Sequence, residues 1–131
     1  MPRNDELLST LSFGIEIEMT GQTRKRAAEI IAEHFGRDYG YVGGAYDKYI
    51  IKTYDGVWNV MYDSSITPLR KSGDRTVAAS DKYKVEVTSP PLIGEQAIDG
   101  LQEVVRKLKK AGLEPKYINM LIGLLELIEN K

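Results

Sequence analysis

Residues 11–20 read LSFGIEIEMT. Phe13, Ile15, Ile17 and Met19 fall on one side of a two-residue alternation; Gly14, Glu16, Glu18 and Thr20 fall on the other. A helical period would scatter those apolar side chains, so the stretch predicts a strand with one buried face. The opposite face then carries two carboxylates two residues apart. Like charges so placed repel each other unless solvent or a cation screens them.

Working outward, GQTRKRAAEIIAEHFG (21–36) predicts a helix. Ala27, Ile30, Ile31, His34 and Phe35 form its inward stripe, and Gly36 is the stop. His34, the only histidine, reads as a stripe-edge or capping residue. The first ten residues read as a short helical lead-in. Downstream, YDKYIIKTYDGVWNVMYDSSI (46–66) predicts a hairpin turning at Asp55-Gly56, with Tyr54 facing Val57. Tyr49, Ile51, Thr53, Trp58, Val60 and Tyr62 share its core face. Ile50, Lys52, Asn59, Met61 and Asp63 share the other.

The polar run from Pro68 to Asp81 reads as a long loop, made basic by Arg70, Lys71 and Arg75. KYKVEVTSPPL (82–92) alternates again, with Tyr83, Val85 and Val87 inward and Lys84, Glu86 and Thr88 outward; Pro90-Pro91 ends it. A helix follows from Gly94 to about Ala111, burying Ile98, Leu101, Val104, Val105 and Leu108, with Gly112 as its stop. The tail EPKYINMLIGLLELIENK (114–131) predicts a last helix. Ile118, Leu121, Ile122, Leu125 and Ile128 form its stripe, widened by Met120, Leu124 and Leu127 into a surface for capping, dimerisation or a partner.

The chain has 131 residues, 42% hydrophobic and 28% charged, which suits one soluble globular domain spanning 1–131. A net charge of −1 gives no global field for nucleic acid or an acidic membrane, which leaves nucleic-acid contact to a local patch such as the basic stretch at 70–75. With no cysteine, zinc–thiolate sites, disulfides and cysteine nucleophiles are excluded. No run has the length or character of a membrane span or signal segment, so the expected location is cytoplasmic.

If the 11–20 strand and the strand bearing Glu86 are close in one sheet, Glu16, Glu18 and Glu86 converge. Oxygen-only ligands suit a hard cation, Mg²⁺ or Mn²⁺. FGIEIEMTGQTRKRAAEIIAEHFG, YDKYIIKTYDGVWNVMYDSSI, YKVEVTSPPL and LQEVVRKLKKAG, taken in order and spacing, resemble the amidoligase family, over residues 11 to 112. That family is similar to the carboxylate–amine ligases and, more distantly, to glutamine synthetase. The resemblance implies an α+β fold: an antiparallel sheet containing the hairpin, packed by about three helices on one face. It implies ATP- and Mg-dependent joining of a carboxylate to an amine. It assigns Glu16, Glu18 and Glu86 to metal, and Asp63 and Ser64 to a polar motif beside the site.

The match breaks after KLKKAG, where the family leads into a strand with a Gly-Ile-His-Val-His type motif and then a further half of the ligase. Here 113–131 read as a divergent apolar helix, as of an amidoligase-like domain cut short. Two functions follow. One is a non-catalytic binding protein with a protein partner or homodimer, such as a phage or mobile-element inhibitor of a host complex like a CRISPR effector, needing no cofactor. The other is an ATP- and Mg-dependent ligase whose site a dimer or second chain completes.

Overall fold

The computed structural model describes residues 12–123. Its hub is β1 (Ser12–Thr20), which alternates as its sequence requires, with Phe13, Ile15, Ile17 and Met19 buried. Next come α1 (Arg24–Phe35), β2 (Tyr39–Gly43), β3 (Lys48–Thr53) and β4 (Gly56–Met61). Then follow β5 (Leu69–Ser72), β6 (Arg75–Ala78), β7 (Val85–Thr88), β8 (Leu92–Ile93), α2 (Glu95–Lys110) and β9 (Glu114–Gly123). All strand pairings are antiparallel. The main sheet runs β2-β3-β4-β7-β1, with β8 continuing along the β7 side of β1 and β9 along its other edge.

Both helices cover the face that carries Ile15, Ile17 and Met19. Val85, Val87, Ile51, Trp58 and Val60 join these from the sheet, and Ala27, Ile31, Val104 and Leu108 from the helices. Burying this many large apolar side chains, each giving about 1.5–3 kcal/mol, is the main source of stability. Thr23 caps α1 by accepting from the Arg26 amide at 3.2 Å, and Gly36 ends it in the left-handed region at φ 64°. No helix among the described residues is long and apolar enough to cross a membrane. The opposite sheet face has no helical cover among those residues. It carries Glu16 and Glu18 of β1 and Glu86 of β7.

Three expectations are corrected. First, residues 114–123 form a strand, not a helix, so the described chain has two helices rather than about three. An apolar run this dense satisfies either period. The unpaired edge of β1 decides, by offering a nine-residue hydrogen-bonding partner; Ile118 and Met120 lie opposite Ile17 and Ile15. Leu121 and Ile122 belong to the same strand, while Leu125 and Ile128, like the lead-in at 1–10, lie outside the described residues.

Second, the basic stretch at 70–75 is a hairpin, β5–β6, turning at Gly73-Asp74, rather than a loop. Third, the β3–β4 turn is Tyr54-Asp55, with Thr53 opposite Gly56. Neither turn residue has positive φ, so the type I′ geometry expected of Asp55-Gly56 does not form. Gly56 is needed as a strand residue, because a Cβ there would lie 2.7 Å from Pro90 Cβ. The slip keeps every side chain on its expected face: Ile51 pairs with Trp58 and Tyr49 with Val60.

Candidate functional site

The register builds the site. Glu18 lies opposite Glu86 across β1 and β7, and Glu86 lies opposite Met61 of β4. Continuing β4 by two residues places Asp63 on the same face. Glu18, Asp63 and Glu86 each offer a carboxylate oxygen, all within 4.8 Å of one another. All three are half-buried. Glu16 stands two residues along, opposite Thr88 and Asn119, and is outside this group.

Ser65 organises Asp63. Its backbone amide donates to Asp63 Oδ1 at 2.9 Å and its hydroxyl to the same oxygen at 2.7 Å, while the hydroxyl lies 3.4 Å from Glu18 Oε1. These two bonds hold the Asp63 carboxyl below the ordinary aspartate range. Burial raises Glu18, with Asp63 adding to the effect through a hydrogen bond and its charge; the Ser65 hydroxyl works against it. Burial likewise raises Glu86, followed by the charges of Asp63, Glu16 and Glu18. Three oxygen donors converge, and two of them resist ionising. A divalent cation would relieve that repulsion, and an all-oxygen set fits Mg²⁺ or Mn²⁺.

A cationic framework backs the acids. Arg24, buried at the start of α1, donates through Nε and Nη2 to Asp47 Oδ2 at 2.9 and 2.8 Å. Its Nη1 donates to the carbonyls of Asp81 and Lys84 at 2.7 and 2.9 Å. Arg24 and Lys84 both lie over the Tyr62 ring, 5.4 and 5.5 Å from its centroid. Lys84 Nζ also donates to the Ser64 carbonyl at 3.2 Å. Tyr62 and Ser64 flank Asp63, so the framework fixes the segment that presents it.

Of the residues singled out in the sequence, Glu18, Glu86 and Asp63 come together, Asp63 as a full member of the cluster rather than a neighbour. Ser64 is exposed and meets the framework through its carbonyl; Ser65 makes the carboxylate contacts. Arg70, Lys71 and Arg75 are exposed on β5–β6. His34 ends α1, edge-on to Phe35 at 4.7 Å, with burial lowering its pKa and Lys107 adding to that effect. Sequence reasoning missed Ser65, Arg24, Tyr62 and Lys84. For Ser65 the Asp-x-Ser spacing was a signal; the contacts of Arg24 span up to 60 residues and left none.

Fold and site define an α+β domain with helices on one face of an antiparallel sheet and a carboxylate cluster on the other. A family model described as putative amidoligase enzyme matches residues 9–115, and the chain belongs to that amidoligase family. No curated protein and no solved structure gives a significant match.

Proposed function

We propose that this chain carries the cation-binding wall of an ATP-dependent carboxylate–amine ligase. The observation that carries the reading is the convergence of Glu18, Asp63 and Glu86 within 4.8 Å on the open sheet face. Mg²⁺ held there would neutralise charge on nucleotide phosphates during activation of the carboxylate. Ser65 keeps Asp63 ionised and aimed, so that one full negative charge is in place before a cation arrives. Arg24, Tyr62 and Lys84 keep that segment from collapsing onto the acids. Glu16 extends the acidic wall along β1. The test is calorimetric titration with Mg-ATP, using Glu18→Gln/Asp63→Asn as control. Saturable binding that the variant loses is expected; no binding by the wild type at millimolar nucleotide refutes the reading.

One observation favours a partner-binding role. Ile118 and Met120 lie on the helix side of β9 yet are half-exposed. They line a cleft of about 450 Å³ with Ile98 and Val105 of α2. A protein partner or second copy would cover it. The inhibitor reading draws on the break with the family after KLKKAG and on the new tail, of which residues 114–123 form a strand rather than the expected helix.

A further inference from the structure

The helix layer carries an uneven charge that the carboxylate wall does not use. A Cβ on Gly21, just before α1, would lie 2.1 Å from the carbonyl oxygen of Gly112, just after α2. The start of α1 and the end of α2 therefore meet at one end of the layer. Lys25 and Arg26 are exposed there on α1, and Lys107 and Lys110 on α2. Among the described residues none of these four forms an ion pair, and neither does Lys82, in the segment before β7. Arg26, Lys107 and Lys110 line a cleft of about 320 Å³, where Glu33 is the only acid among the lining residues.

A second cleft, of about 290 Å³, begins at the neighbouring residue. Lys25 and Lys82 line it with Arg24, Asp47 and Tyr49. Its acid is already engaged: one oxygen of Asp47 accepts from Arg24 and the other from the Tyr41 hydroxyl. The two lysines are left without a counter-charge. Tyr49 shares the helix-side face of β3 with Ile51, and Tyr41 pairs with Tyr49 across β2–β3. Both rings are thus on the side of the sheet away from Glu18, Asp63 and Glu86. Their centroids lie 4.9 Å apart, yet Tyr41 is 60% exposed. A ring braced by a second ring and a hydrogen bond, and open to solvent beside unpaired lysines, is a platform for stacking.

We propose that this end of the molecule binds single-stranded nucleic acid. A base stacks on Tyr41, its flanking phosphates lie on Lys25 and Lys82, and the strand continues over Arg26 to Lys107 and Lys110. An acidic protein segment would satisfy the cations but has no use for the open ring, and a duplex keeps its bases from stacking on it. The net charge of −1 does not oppose this, because the carboxylate cluster lies on the opposite face of the sheet. The surface needs no metal and stands apart from the cation reading of that cluster.

The test is fluorescence anisotropy with a dye-labelled oligothymidylate of about twelve nucleotides, in EDTA at about 50 mM salt. EDTA removes any contribution from a cation on the carboxylates. Saturable binding by the wild type is expected. Lys25→Gln/Lys82→Gln should weaken it about fivefold or more and reduce the slope of log K against log salt by about 1.4, the share of two phosphate contacts. Tyr41→Ala should lose about fivefold or more with the salt slope unchanged, and Tyr41→Phe should recover most of that loss. Since Tyr41→Phe also gives up the bond to Asp47, it separates stacking from any loosening of the loop. All three side chains are exposed, so the variants should keep the fold. No saturable binding by the wild type, or unchanged affinity and slope in the double lysine variant, overturns the proposal. Tyr41→Phe as weak as Tyr41→Ala overturns the stacking role. Displacement by polyglutamate at equal charge, with Tyr41→Ala unaffected, overturns nucleic acid as the ligand in favour of an acidic protein.

Discussion

Glu86→Gln should make the cation-free protein more stable at neutral pH. Glu86 faces Glu18 and Asp63 with oxygens within 4.8 Å. Two unit charges at that distance repel by about 0.9 kcal/mol in bulk water and about 3.5 kcal/mol at an effective dielectric near 20. The residues are half-exposed, so solvent screening favours the lower end, and the gain should be about 1 kcal/mol. For a domain of this size that is about 3–5 °C in Tm. The sign follows from Glu86 having a raised pKa in the folded state. Its penalty is absent below the unfolded value of about 4.3 and grows as pH rises through the folded value. The advantage of the variant should therefore be present at pH 7, shrink as pH falls, and vanish near pH 3.5. Salt should shrink it at pH 7. Mg²⁺ at ten times its Kd should stabilise wild type by about 1.4 kcal/mol and the variant by much less. Thermal unfolding at the two pH values, with and without Mg²⁺, reads all of this. A variant less stable than wild type at pH 7, or equally shifted at both pH values, would refute the reasoning.

Four other substitutions probe the supports. Arg24→Met strands Asp47 and two carbonyls, and should cost about 2–4 kcal/mol by urea unfolding. Asp47 has a lowered pKa, chiefly through the Tyr41 hydrogen bond and then Arg24, so the cost of Asp47→Asn should be full at pH 7 and fade as pH falls below about 3.9. Gly21→Ala places a Cβ 2.1 Å from the Gly112 carbonyl oxygen at φ 107°, and should cost about 3 kcal/mol in the same assay. Thr20→Val removes both bonds to Leu69 and should speed amide exchange in β5–β6 well before it lowers Tm much.

Much of the fold was legible where period and punctuation agree. The alternation in 13–19 set the faces of β1, and Gly36 marked the end of α1. The β3–β4 faces survived a slipped turn because a two-residue shift in pairing preserves parity. The tail misled because consecutive apolar residues fit a helix stripe as well as a strand, and only the vacant edge of β1, a tertiary fact, decides between them. Residues 114–123 instead pair with β1, so that Tyr117 and Asn119 face Glu18 and Glu16 across the ladder. At the site, Glu18 and Glu86 were legible from alternation. The place of Asp63 depended on β4 lying beside β7, which no local pattern encodes. The Arg24 framework was invisible for the same reason.

The central claim is that Glu18, Asp63 and Glu86 hold a divalent cation. Titration of Mn²⁺ followed by the loss of its free-ion paramagnetic resonance signal tests it directly. One saturable site is expected in the wild type, weakened about tenfold or more in each of Glu18→Gln, Asp63→Asn and Glu86→Gln, since each removes one charged ligand. Binding left unchanged in all three variants, or absent from the wild type at millimolar Mn²⁺, would contradict it.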